Sequence, residues 1–201
     1  MSDVIRQFKV TIHGRQLLMH NGQLADPLNP FTKSLKAVTS TRKKSDDDHE
    51  KIAEIEFQGG LYFDNALGPY LPGHVIDAVI TEGARKKKLG KIFESCVHTM
   101  DDAYALQYTG PRTREKLWAD PKFRARRGCG VQMARVIRTR PKFTDWSAAF
   151  DIELFPCELN PAQVKQAIVD AGIYVGVGDF RPRFGLFTVK AFEEVSAAKA
   201  A

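Results

Sequence analysis

Apolar and polar positions alternate along three stretches of the chain. In QFKVTIH (7–13), Phe8, Val10 and Ile12 alternate with Lys9, Thr11 and His13. In WSAAFDIELF (146–155), Trp146, Ala148, Phe150, Ile152 and Leu154 fall on one side. In FGLFTVKAF (184–192), Phe184, Leu186, Thr188 and Lys190 stand against Gly185, Phe187, Val189 and Ala191. A period of two is that of a half-buried strand. Residues 131–140 precede the second stretch across a short turn, which predicts a β-hairpin pairing 131–140 with 146–155. The runs GGLYFD (59–64) and SCVHTM (95–100) predict short strands, and LGPYLPG (67–73) predicts a turn.

Between these lie helical patterns. NPAQVKQAIVDAG (160–172) offers Asn160 as N-cap, Pro161 at the first turn and Gly172 just past the end, with Val164, Ala167, Ile168 and Ala171 on its core face. Residues 74–93 read as one helix with Ile76, Val79 and Ile80 as its stripe. Lys86, Lys87 and Lys88 stand near its end, where cations complement the dipole. In SDDDHEKIAEIEF (45–57), Ser45 stands three residues before Asp48, the spacing of a capping box. Asn29 and Pro30 open a short basic helix over 31–42. The order is strand, helical insertion, short strand, helix, strand, hairpin, helix, loop, strand. It predicts a ferredoxin-like α+β fold (βαβ–βαβ): an antiparallel sheet with helices on one face and a helical or loop insertion after the first strand. The whole chain, 1–201, is expected to be one such domain, with the insertion over about 20–57 and a frayed tail at 193–201.

Composition supports a packed core, because 43% of the residues are hydrophobic. The net charge of +6 favours a polyanionic partner. The charge is unevenly spread: residues 121–143 hold eight Lys or Arg and no acid. Arg126, Arg127, Arg138 and Arg140 lie there, and strand parity puts Arg138 and Arg140 on one face with Arg135 on the other. A second basic stretch, GIYVGVGDFRPRFGLFTV (172–189), sets Arg181, Arg183 and Phe180 among four glycines. Clustered cations with interleaved aromatics suit single-stranded nucleic acid, and glycines can bring backbone amides close to phosphates. A tight turn with solvated charges and core phenylalanines is the plainer alternative.

Other chemistries find little here. Cys96, Cys129 and Cys157 are odd in number and widely spaced, which speaks against a disulfide framework or zinc knuckle and for a reducing cytoplasm. The start, MSDVIRQFKVTI, lacks the apolar core of a signal peptide, and no apolar run reaches the roughly 18 residues of a membrane span. GVGDFR lacks the third glycine of a dinucleotide fingerprint and follows a helix. No P-loop, GxSxG or HExxH motif occurs, and the histidines never fall at ligand spacing, so neither cofactor nor metal is expected.

LPGHVIDAVITEGAR, GVGDFRPRFGLFTV and FKVTIHGRQLLMHNG resemble three segments of the RAMP superfamily, the ferredoxin-like backbone subunits of CRISPR effector complexes, in the same order. They are, respectively, the Pro-Gly turn into a helix, the C-terminal glycine-rich loop, and the first strand with its following loop. The chain departs from that pattern with His74 where serine is usual and Asp77-Ala78 in place of Lys-Gly. Its compact size fits a standalone phage or mobile-element relative. The resemblance implies single-stranded nucleic acid along a basic face, with a homo-oligomer or head-to-tail filament as one form of assembly. Arg181, Arg183 and His74 would be contacts. Residues 20–36, with Lys33 and Lys36, would form a thumb or partner loop. Two alternatives stay open: a metal-dependent nuclease using Asp26 with a second acid such as Asp179, and a phage structural or assembly protein.

Overall fold

The computed structural model describes residues 4–131 and 134–195. The chain forms two compact units. Among the described residues the first comprises 4–17, 70–109 and 144–195, and the second 18–69, 110–131 and 134–143.

The first unit is built on a sheet ordered β4-β7-β1-β8, from β1 (Arg6–Leu18), β4 (Val97–Thr99), the part of β7 (Ala134–Leu154) that follows residue 143, and β8 (Phe187–Val195). β1 pairs antiparallel with β8, and β4 antiparallel with β7. α3 (Gly73–Arg85) and α4 (Gly90–Cys96) lie between the first two of these strands in sequence, and α6 (Pro161–Tyr174) lies between the last two. This α+β arrangement of two βαβ halves with the later edge strand beside the first is the ferredoxin-like order. The expected alternation holds over the first two stretches; in the third, the strand starts only at Phe187, and Phe184 and Phe187, expected on opposite faces, are both buried. Phe8, Val10, Ile12, Trp146, Phe150 and Ile152 are buried, while Lys9 is exposed. The apolar face of α3, Ile76, Val79 and Ile80, is buried, as is that of α6.

Local signals are realised where the caps are explicit. Asn160 accepts from the Gln163 N–H, the Gln163 side chain answers the Asn160 N–H, and Pro161 opens α6. Gly172 is not the end of that helix. It lies inside, where a Cβ would overlap the Phe187 carbonyl, and the helix runs on to Tyr174. The closing residue is Gly176, with φ of 76°, whose N–H returns to the Ala171 carbonyl at 2.8 Å. The helix expected over 74–93 breaks in two, because Lys88 turns to φ of 62° before α4. Residues 67–73 are not a turn: Gly68–Pro72 form β3, which pairs through Tyr70, Leu71 and Pro72 with β5 (Ala103–Ala105). Gly73 then starts α3 against the Asp101 carbonyl and the Thr99 hydroxyl, too close for any side chain. Close approach, then, accounts for the glycine of the Pro-Gly pair.

In the second unit α1 (Pro30–Thr39) begins at Asn29 and Pro30 as expected. The Ser45–Asp48 capping box opens α2 (Asp46–Gly60). α2 takes in Gly59 and Gly60, leaving only Phe63–Asp64 as β2. Here too lie α5 (Arg114–Ala119) and β6 (Arg124–Val131). The expected hairpin of 131–140 with 146–155 does not form. Residues 134–140 and 146–154 belong to the single 21-residue β7, in which Asp145 takes φ of 51°, and the partner of its first half is β6. Pro141 is accommodated in that strand because its carbonyl, not an N–H, is used, accepting from Met19 at 2.9 Å. β8 extends to Val195, and the rest of the expected frayed tail, 196–201, lies outside the described residues.

Candidate nucleic-acid interface

The glycine-rich loop between α6 and β8 is closed by its own backbone. The Gly185 N–H donates to the Gln16 carbonyl at 2.8 Å, and the Val177 N–H donates to the Gly185 carbonyl at 2.9 Å. Gly185 has φ of 84°, and a Cβ there would overlap the Val177 carbonyl. Two of the loop glycines, Gly176 and Gly185, therefore spend their amides on protein carbonyls. Phe180 adopts φ of 54°, with its N–H held by the Asp179 carboxylate at 2.9 Å.

The loop's two arginines line different clefts. Arg183 lines one of about 570 Å³ together with Arg15, Gln16, Thr144, Asp145, Gly185 and Leu186. Arg15 and Arg183 are both exposed, and neither has an ion pair among the described residues. The one carboxylate on this wall, Asp145, pairs with His13 Nε2 at 2.8 Å. Arg181 lines a second cleft, of about 480 Å³, with Phe180, Tyr174, Asp179 and Glu82. Its guanidinium is already engaged, with Glu82 at 3.2 Å and the Gly176 carbonyl at 3.4 Å. Tyr174 is 58% exposed, whereas Phe180 is half-buried.

His74, at the start of α3, is exposed. One helical turn along, Asp77 accepts from the Thr99 N–H at 2.8 Å and the Thr99 hydroxyl at 3.2 Å. Partial burial nevertheless holds its carboxyl above the ordinary carboxylate value. The aspartate that replaces the resemblance's Lys-Gly thus ties α3 to β4.

The remaining predicted residues belong to the second unit. Arg127 and Arg138 stand directly opposite each other on β6 and β7, and Arg126 opposes Thr139. Arg138 is held by the buried Glu56 at 2.6 Å, whose other oxygen accepts from the Thr139 N–H at 2.8 Å. That pairing raises the Arg138 pKa further. Arg140 is 9% exposed and donates to the Thr139 carbonyl at 3.4 Å, so little of it meets solvent. Arg126 is exposed, 3.6 Å from Glu50, and Arg127 is exposed. Lys33 and Lys36 are exposed and three residues apart on α1. Asp26 is exposed and caps a 3-10 turn, its side chain accepting from the Leu28 N–H at 2.8 Å. Among the described residues no group of three or more His, Cys, Asp or Glu could hold a metal ion, and no helix is long and apolar enough to cross a membrane.

Arg183, Arg181, Phe180 and His74 thus lie in one unit, and Arg126, Arg127, Arg138, Arg140, Lys33 and Lys36 in the other. Sequence reasoning missed Arg15 and Tyr174. Arg15 was within reach, since it continues the polar parity of Lys9, Thr11 and His13 along β1. Tyr174 was not, because Gly172 seemed to end the helix before it.

No protein-family model matches the chain, and no curated protein matches it. Among solved structures, a chain of the type III-B Cmr-beta complex, determined by cryo-EM bound to cognate target RNA, is similar, with a TM-score of 0.48 and 15% identity. The match covers 96% of this chain and spans 62% of the length of that one. The ferredoxin-like assignment rests on the strand order above.

Proposed function

We propose that this protein binds single-stranded nucleic acid without chemistry on it, and that its primary phosphate site is the cleft of Arg15 and Arg183. The observation that carries this is the pairing of two exposed guanidiniums, on β1 and on the glycine-rich loop, in one cleft where neither has an ionic partner among the described residues. Guanidinium forks match phosphate oxygens, and with no competing ion pair to break their full charge is available to a ligand. Arg181 contributes less, because a phosphate must first displace Glu82. In that second cleft Tyr174 offers the more exposed ring for a base to stack on, ahead of Phe180. In the second unit, Arg126, Arg127, Lys33 and Lys36 are the surface cations, while Arg138 and Arg140 serve the fold.

The test is the affinity of the purified protein for labelled single-stranded and duplex RNA and DNA of one sequence, each at two salt concentrations. The proposal predicts preference for the single strands and an affinity that falls as salt rises. Equal binding of duplex and single strand, or no salt dependence, would contradict it.

A further inference from the structure

The end of α3 carries a run of cations beside an apolar groove on the helix side of the first unit. The groove, about 380 Å³, has Ala84, Leu89 and Ala167 as its floor and Lys87, Gln163 and Gln166 as its rim. Ala84 and Ala167 are 0% and 3% exposed, so the floor is made of small, fixed side chains that leave room above them. Lys86, Lys87, Lys88 and Lys91 are exposed, and none has an ion pair among the described residues. Arg85 alone in this run is neutralised, by Glu94 at 2.6 Å. Glu82, one turn back, is committed to Arg181. Asp170, on the same helix as Gln163 and Gln166, is 5% exposed, with one oxygen accepting from Gln166 at 2.8 Å.

Dipole complementation explains cations in the last helical turn, but not the choice at position 88. Lys88 takes φ of 62° where the helix closes, with the Leu89 N–H returning to the Ala84 carbonyl at 3.1 Å. Glycine fills that conformation without strain and is the usual residue there. The chain keeps a third consecutive lysine instead. An apolar floor with Lys87 on its rim, and the exposed Lys86 and Lys88 adjoining it in the chain, complements an anionic ligand with an apolar anchor. Nucleic acid fits it poorly, because no aromatic side chain lines the groove for a base to stack on.

We propose that this groove docks an acidic segment of a partner protein, an apolar side chain entering over Ala84 and Ala167 while flanking carboxylates meet Lys86, Lys87 and Lys88. The probe is a fluorescein-labelled peptide of alternating glutamates and leucines, compared with the same peptide carrying serine for leucine, and with a single-stranded RNA oligonucleotide. Anisotropy titrations use the full chain and two variants, Lys86→Gln/Lys87→Gln/Lys88→Gln and Leu89→Gln, whose thermal unfolding confirms that they fold. Saturable binding of the leucine peptide is expected, about tenfold weaker for the triple variant, with exposed charge pairs contributing individually small and cumulative terms. Leu89→Gln and the serine peptide should each weaken it as well, and the RNA affinity should change little. No saturable binding, equal binding by the triple variant, or an RNA affinity that falls as far as the peptide's would overturn the proposal.

Discussion

Gly185 sits at φ of 84° with no room for a methyl group beside the Val177 carbonyl, whereas Gly130 has nothing within 4 Å of where a Cβ would go. Gly185→Ala must shift the backbone of the loop that presents Arg183. It should cost about 2–4 kcal/mol by strain and overpacking, while Gly130→Ala should be close to neutral, both read from denaturant unfolding. An unaffected Gly185→Ala would mean that the loop is not closed as described. Asp77 makes a prediction in pH. Its carboxyl is held above the ordinary value of 3.8, chiefly by burial. The unfolded chain therefore releases this proton first, and folding stability falls as pH rises from 3.8 through the raised folded value. Asp77→Asn keeps an acceptor for the Thr99 N–H and removes the ionisation. The variant's melting temperature should match the native protein's at low pH and gain on it as pH climbs through that window. A gain that shrinks with rising pH would contradict the assignment.

At the scale of elements, Glu56 on α2 is the hinge of the second unit's basic region, because one carboxylate serves both Arg138 and the Thr139 N–H. Glu56→Ala strands a buried amide and frees a guanidinium, and should cost about 2–4 kcal/mol. Glu56→Gln, which still accepts from Thr139, should cost visibly less in the same unfolding experiment. Equal losses would mean that the backbone contact contributes nothing. The sequence showed this stretch as eight cations without an acid, and local reading could not supply Glu56, which lies 82 residues from Arg138. The same limit explains the missed hairpin. Alternation over 146–155 identified the buried face correctly. The turn chemistry of 141–145, however, was absorbed by a single left-handed residue, and the pairing partner was fixed by tertiary register. Caps were the most readable features. Asn29 with Pro30, Ser45 with Asp48, and Asn160 with Pro161 all act within four residues, and all three open helices where expected. Gly172 misled because a glycine demanded by close packing against Phe187 looks the same in sequence as one that ends a helix.

Over the whole molecule, the excess of +6 is distributed over cations in quite different states. Arg138 and Arg140 are taken up by the fold, Arg181 is shared with Glu82, and Arg15 with Arg183 remains available in one cleft. The proposed function stands on that last pair, and salt dependence isolates it, because each phosphate neutralised on a single strand contributes about 0.7 to the slope of log affinity against log salt. The deciding measurement is that slope for single-stranded oligonucleotide binding by the native protein and by Arg15→Ala/Arg183→Ala, with Arg138→Ala as a control that lowers stability. The account predicts a slope reduced by about 1.4 in the double variant, two phosphates at about 0.7 each, and unchanged in the control. A double variant with the native slope would contradict it.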